Sequence, residues 1–180
     1  VGYRGGRGTN ETVKEALERY VGTTYTVKYH ANGGTGTMSD QKVEADSSSY
    51  LGDNRFTRAG YTFDGWNTKQ DGSGTLYSNG EYIYNAVNPG ETLDLYAQWT
   101  PNTYHVYFSA NGGSGGDERQ FTYDQAQKLP TPEEVGISNN YYVKFMGWNT
   151  KDDGTGTSYQ AGQSVKNLTT EQDGYVTLYA

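Results

Sequence analysis

The chain has 180 residues and a net charge of −7, from 14 Lys and Arg against 21 Asp and Glu, and it contains no cysteine. No segment gathers basic residues into a stripe that could track a phosphate backbone, which argues against a nucleic-acid partner; the missing thiols exclude disulfides, thiolate zinc sites and cysteine nucleophiles. Hydrophobic residues make up only 33%, yet there are 18 Tyr, 5 Phe and 3 Trp, so rings must fill the core of any small domain built here.

In chain order, the first expected element falls within a Gly/Arg-rich lead, residues 1–24. Asn10 or Thr12 can cap a helix, and Val13, Leu17, Tyr20 and Val21 come next at helical spacing before Gly22. Thr12 with Glu15 fits a capping box and Glu15 with Arg19 an ion pair one turn apart, so a short amphipathic helix is expected. Three turns are marginal alone, so the helix must dock on the first repeat or continue an upstream element. Beyond it, Tyr25, Val27 and Tyr29 alternate as in a strand with one buried face. A second strand is expected around Val43 and Ala45, a third around Tyr61 and Phe63, and a last around Leu93 and Leu95. Asn32-Gly33-Gly34 and Asp71-Gly72 supply the positive φ of tight turns. Trp66 succeeds Gly65 out of phase with the alternation, which predicts a bulge turning the indole into the core; stacking on a sugar is the competing reading.

The same series then returns. Tyr104-His-Val-Tyr-Phe-Ser-Ala-Asn-Gly-Gly113 repeats Tyr25 to Gly34, Gly147-Trp-Asn-Thr-Lys-Asp-Asp-Gly-Thr-Gly-Thr157 repeats Gly65 to Thr75, and Leu178-Tyr-Ala180 repeats Leu95 to Ala97. Phe121 and Tyr123, Val143 and Phe145, and Val176 and Leu178 mark the corresponding later strands, with Trp148 as the second core pin. The predicted organisation is a lead over 1–24, a first repeat over 25–100 and a second over 104–180. Pro101 limits the hinge in the Thr100–Thr103 link.

The runs Ala-Asn-Gly-Gly-Thr-Gly-Thr-Met (31–38), Phe-Thr-Arg-Ala-Gly-Tyr-Thr-Phe-Asp-Gly-Trp-Asn-Thr-Lys (56–69) and Leu-Tyr-Ala-Gln-Trp (95–99) resemble the Listeria–Bacteroides repeat, the B repeat of internalin-type surface proteins. The resemblance covers both repeats. It implies an α+β, β-rich fold of two tandem β-grasp (ubiquitin-like) modules, each a mixed sheet with one short helix or helical turn. It also implies an extracellular, wall-attached or secreted place on a Gram-positive bacterial surface, and roles in adhesion or virulence or as a spacer beside neighbouring repeats. The second copy departs from the pattern at Ser114–Arg119 and Ile137–Asn140 and stops at Ala180, which predicts a shorter last strand.

No convergent chemistry is expected. The two histidines, His30 and His105, stand at non-equivalent positions and read as solvent-facing strand residues, not ligands or bases. The turns at Asp71 and Asp153 lack the carboxylate series of a calcium loop, and the glycine runs lack the Lys-Ser/Thr of a phosphate cradle. The sequence thus predicts no catalytic residue, no cofactor and no metal, and no apolar run long enough to insert in a membrane or serve as a leader. The candidate ligand-binding residues are Tyr77, Tyr82, Tyr84, Tyr141 and Tyr142, most of them in stretches where the copies differ. A stalk and adhesion module is the leading expectation, recognition of a host protein or glycan the alternative, and a hydrolase fragment an outsider.

Overall fold

The computed structural model describes residues 23–138 and 143–180. The helix expected within the lead, and Tyr141 and Tyr142, fall outside these residues. The chain divides into two compact units, one of Val1–Phe56 with Asp64–Gln98 and the other of Thr57–Phe63 with Trp99–Ala180.

The alternating rings do form strands. β1 (Thr24–His30) buries Tyr25, Val27 and Tyr29 on one face. It pairs antiparallel with β2 (Gln41–Glu44) and parallel with β7 (Thr92–Pro101), with Val27 opposite Leu93 and Tyr29 opposite Leu95. β4 (Tyr61–Asn67) and β5 (Leu76–Tyr77) complete a mixed sheet in the order β2-β1-β7-β4-β5. β3 (Ser48–Tyr50) and β6 (Tyr82–Tyr84) form a separate two-stranded ribbon.

The second repeat reproduces this plan strand for strand. β8 (Thr103–Ser109), β9 (Gly116–Thr122), β11 (Trp148–Asn149), β12 (Ser158–Tyr159) and β14 (Gly174–Tyr179) make the sheet β12-β11-β14-β8-β9, again with a parallel central pair. β10 (Gln127–Lys128) and β13 (Ser164–Val165) form its ribbon. Its core gathers Tyr104, Val106, Phe108, Phe121, Leu129, Val135, Trp148, Val165 and Leu178. Among the described residues there is no α-helix; the one helical segment is a 3-10 turn at Glu133–Val135, which buries Val135.

Trp66 and Trp148 are core pins, fully buried. Gly65 (φ +125°) and Gly147 (φ +147°) break the pleat immediately before each, so the indole turns inward where strict alternation would send it out. Trp66 packs against Tyr29 and Phe56, and Trp148 against Phe108 and Phe145. The Trp148 Nε1–H donates to the Pro130 carbonyl at 2.9 Å, giving a buried indole the partner it needs.

Three features of the structure correct or extend the sequence reading. The third strand of the second repeat, read around Val143 and Phe145, shrinks to β11. β14 closes at Tyr179 and meets β11 only through Asn149↔Tyr179, so residues 143–147 have no ladder partner among the described residues, and Val143 is exposed. Second, the departure at Ser114–Arg119 builds structure. β9 pairs with β8 all the way from Ser109↔Gly116, whereas β2 begins pairing only at Val27↔Gln41, because the shorter connection after Asn111-Gly112 returns the chain directly alongside.

Third, Thr100–Thr103 is not a loop. β7 runs to Pro101, β8 starts at Thr103, and buried Asn102 is tied in through both its backbone and its side-chain amide. Its N–H donates to the Gly60 carbonyl (2.8 Å) and its carbonyl accepts from the Tyr123 N–H (2.8 Å). Its amide oxygen accepts from the Thr62 hydroxyl (2.7 Å) and its Nδ2 donates to the Thr170 carbonyl (2.8 Å). All of these partners belong to the second compact unit.

Candidate functional site

The shared Gly-Trp-Asn-Thr-Lys motif is explained by local structure. Asn67, buried at the end of β4, accepts through Oδ1 from the N–H groups of Lys69 and Gly74 (both 2.9 Å) and donates to the Gly72 carbonyl (3.0 Å). Asn149 repeats this with Lys151 (2.9 Å), Gly156 (3.0 Å) and the Gly154 carbonyl (3.1 Å). The Asp71 carboxylate accepts from the N–H and hydroxyl of Ser73, and that of Asp153 does the same with Thr155; these bonds hold both carboxyls below their ordinary range. The loops are thus organised around their own side chains.

The histidines, expected to be solvent-facing strand residues, are more tightly engaged than that. His30 stands opposite Tyr96 across the parallel pair, stacks on its ring (4.5 Å between centroids, 13° between planes) and meets Asp94 through Nε2 at 2.6 Å. His105 likewise stacks on Tyr175 (4.8 Å, 13°) and meets Glu118 at 2.8 Å. Each imidazole is half-buried and commits one nitrogen to a carboxylate. Among the described residues, no three His, Asp or Glu side chains converge as metal ligands would.

One surface is left that local structure does not explain. In the β3–β6 ribbon, Ser49 pairs with Ile83, Tyr50 with Tyr82 and Ser48 with Tyr84. Alternation sends Ile83 into the core and puts Tyr50, Tyr82 and Tyr84 together on the outer face, where they are 68%, 53% and 54% exposed. Tyr50 and Tyr82 contact each other edge to face, 5.7 Å between centroids at 75°. The frame beneath them is well tied. The Asp46 N–H donates to Asn85 Oδ1 and Asn85 Nδ2 returns to Asp46 Oδ1 (both 2.8 Å), while the Leu51 N–H donates to the Glu81 carbonyl (2.8 Å).

The second repeat keeps that frame and changes the face. Asp124 and Asn167 exchange the same two bonds, the Leu129 N–H donates to the Gln163 carbonyl at 2.9 Å, and Val165 fills the place of Ile83. In the positions of Tyr50, Tyr82 and Tyr84 stand Lys128, Ser164 and Lys166. The ribbon therefore folds without tyrosines.

Of the five candidate tyrosines, the structure brings Tyr82 and Tyr84 together. Tyr77 lies on β5 opposite Trp66, in the main sheet and half-buried, and burial raises its phenol pKa; it is not part of the ribbon face. Tyr141 and Tyr142 lie outside the described residues. Sequence reasoning misses Tyr50, although aligning Leu51 with Leu129 sets it against Lys128 and shows the contrast.

The family model of the Listeria-Bacteroides repeat domain matches residues 25–98 and again 104–180. The chain belongs to that family. Among relatives of this Listeria-Bacteroides repeat pair, a protein of Evansella cellulosilytica named "Putative Gly-rich membrane protein" is 37% identical over 126 residues, 69% of this chain and 14% of the relative. A second from the same organism, "Putative membrane protein", is 30% identical over 146 residues, 79% of this chain and 20% of the relative. The repeat pair thus spans a fifth or less of the length of these relatives. Among its described residues, no helix is long and apolar enough to cross a membrane.

Proposed function

We propose that the chain is a non-catalytic spacer module of a bacterial surface protein, carrying a binding element of the parent chain away from the cell and contributing to adhesion. The observation that carries this reading is the passage from β7 to β8 through the single, fully hydrogen-bonded residue Asn102. A chain with no slack between its duplicated strands suits a spacer. Membership of a repeat family and relatives named as membrane proteins support the surface location. The strand orders β2-β1-β7-β4-β5 and β12-β11-β14-β8-β9, each with a parallel central pair, support reading both modules as β-grasp folds in which a ribbon occupies the place of the helix. Deleting the repeat pair from its parent chain tests the spacer: adhesion is expected to fall, and to return when an unrelated folded module of similar length takes its place. Unchanged adhesion after the deletion would refute it.

Recognition by exposed tyrosines is the second reading, favoured by the face of Tyr50, Tyr82 and Tyr84, which the second repeat's ribbon does without. Loss of adhesion on replacing these rings, with the thermal midpoint unchanged, is its expected signature.

A further inference from the structure

We propose that the outer face of the β3–β6 ribbon is a stacking platform for a neutral, equatorially linked glycan, of the β-1,4-linked hexopyranose type. The inference rests on the recognition reading and is independent of the spacer reading.

Three properties of the ribbon point to this ligand. First, the fold does not require the rings: Tyr50, Tyr82 and Tyr84 keep more than half of their surface in water, and the equivalent positions in the second repeat are Lys128, Ser164 and Lys166 on the same hydrogen-bonded frame. Exposed rings gathered by strand register on one small surface, and dispensable to folding, mark an interaction site.

Second, the size of the patch selects the class of partner. Three tyrosines at these exposures present roughly 350 Å² of ring surface, well below the roughly 800 Å² that one side of a stable protein interface buries. A saccharide of two or three units needs no more. Tyrosine also fits it chemically, since the ring faces take the axial C–H face of a flat pyranose while the phenol and the Ser48 hydroxyl offer hydrogen bonds to its equatorial rim.

Third, charge selects among glycans. No Lys or Arg occurs between residues 43 and 54 or between 70 and 100, the two stretches that contain the ribbon, while Glu44, Asp46, Asp53 and Glu81 lie within them. Within these stretches, bounded by Lys42, Arg55 and Lys69, the ribbon's own segments carry carboxylates and no cation, which disfavours uronates and sulfated chains and leaves neutral ones. The Tyr50 and Tyr82 rings stand 75° apart, edge to face, so where one lays its face on a sugar the other walls that sugar's edge, a corner that fits a single flat, equatorially substituted pyranose.

The test titrates the 180-residue chain, isotopically labelled, with cellohexaose, with chitohexaose and with polygalacturonate, reading amide shifts. Saturable shifts confined to 46–52 and 80–86 are expected with one or both neutral hexasaccharides, with dissociation constants on the order of 0.1–1 mM. The two arms separate a glucose chain from an N-acetylglucosamine chain. Tyr50→Ala or Tyr82→Ala should each weaken binding about fivefold. The triple variant Tyr50→Lys/Tyr82→Ser/Tyr84→Lys, which borrows residues the second repeat already carries, should abolish binding with an unchanged melting midpoint. Silence with both neutral hexasaccharides at about 10-fold above that range, shifts that survive the triple variant, or equal binding of polygalacturonate would each overturn the proposal. If the triple variant instead loses adhesion to a serum-protein-coated surface while no hexasaccharide binds, the glycan is wrong and the recognition reading stands; if neither readout responds, both fall.

Discussion

Tyr25 and Tyr104 hold the same position on the first strand of each repeat, and they differ in one bond: the Tyr104 hydroxyl accepts from the Leu168 N–H at 3.4 Å, while the buried Tyr25 hydroxyl has no partner among the described residues. An orphaned buried hydroxyl costs its desolvation with nothing to offset it. Tyr25→Phe should therefore leave stability unchanged or raise it by about 1 kcal/mol, and Tyr104→Phe should lower it by about 0.5–1 kcal/mol. Urea unfolding of the two variants reads the difference, and a loss at Tyr25 matching that at Tyr104 would contradict it.

Asn67→Ala and Asn149→Ala should each cost about 1–2 kcal/mol, because one truncation of a buried side chain strips several backbone groups of their partner under an otherwise exposed loop. Chemical denaturation measures this. Asn→Asp at either position should also destabilise, since a carboxylate cannot donate to the Gly72 or Gly154 carbonyl.

Gly60 lies against the ring of Tyr123. At φ +77°, an added Cβ would fall 2.3 Å from the ring, so Gly60→Ala combines backbone strain with a clash and should cost more than about 2 kcal/mol. Gly90→Ala is the control: its φ is +83° but nothing lies within 4 Å, and about 1 kcal/mol is expected from conformation alone. Asn102→Ala, in the same unit as Gly60, should cost about 1–3 kcal/mol by leaving the Thr170 carbonyl and the Thr62 hydroxyl unpaired. Comparable melting of Gly60→Ala and Gly90→Ala would show that Tyr123 is free to move aside.

Acid should weaken the protein below about pH 4. Asp124 is held below its ordinary 3.8 first by Asn167 and then by the Tyr61 hydroxyl, and Asp71 and Asp153 are lowered by Ser73 and Thr155. A carboxyl with a depressed folded-state pKa contributes stability above its unfolded value and loses it as pH falls through the folded one. Melting midpoints between about pH 6 and 2.5 should fall less steeply in Asp124→Asn than in the native chain. Parallel curves would refute a role for Asp124.

Much of the scaffold was legible in the sequence. Period-two alternation at Tyr25, Val27 and Tyr29 and at Tyr104, Val106 and Phe108 follows from strand geometry alone, and Gly65 and Gly147 before the tryptophans marked the places where the pleat breaks. The candidate surface was half legible. Tyr82 and Tyr84 stood out because the copies differ there, but Tyr50 is distant in the chain and joins them only through the β3–β6 register, while Tyr77, close in sequence, belongs to another sheet.

The sequence by itself determined the duplication, the ring-filled cores and the turn positions, because each depends on residue type and spacing along a short stretch. Only the tertiary structure decided which strands lie parallel, how Asn102 is held, that both histidines stack on a cross-strand tyrosine, and which tyrosines share a face. Those outcomes depend on which distant backbones pair and in what register, and a one-residue slip would turn every side chain of the ribbon to its other side.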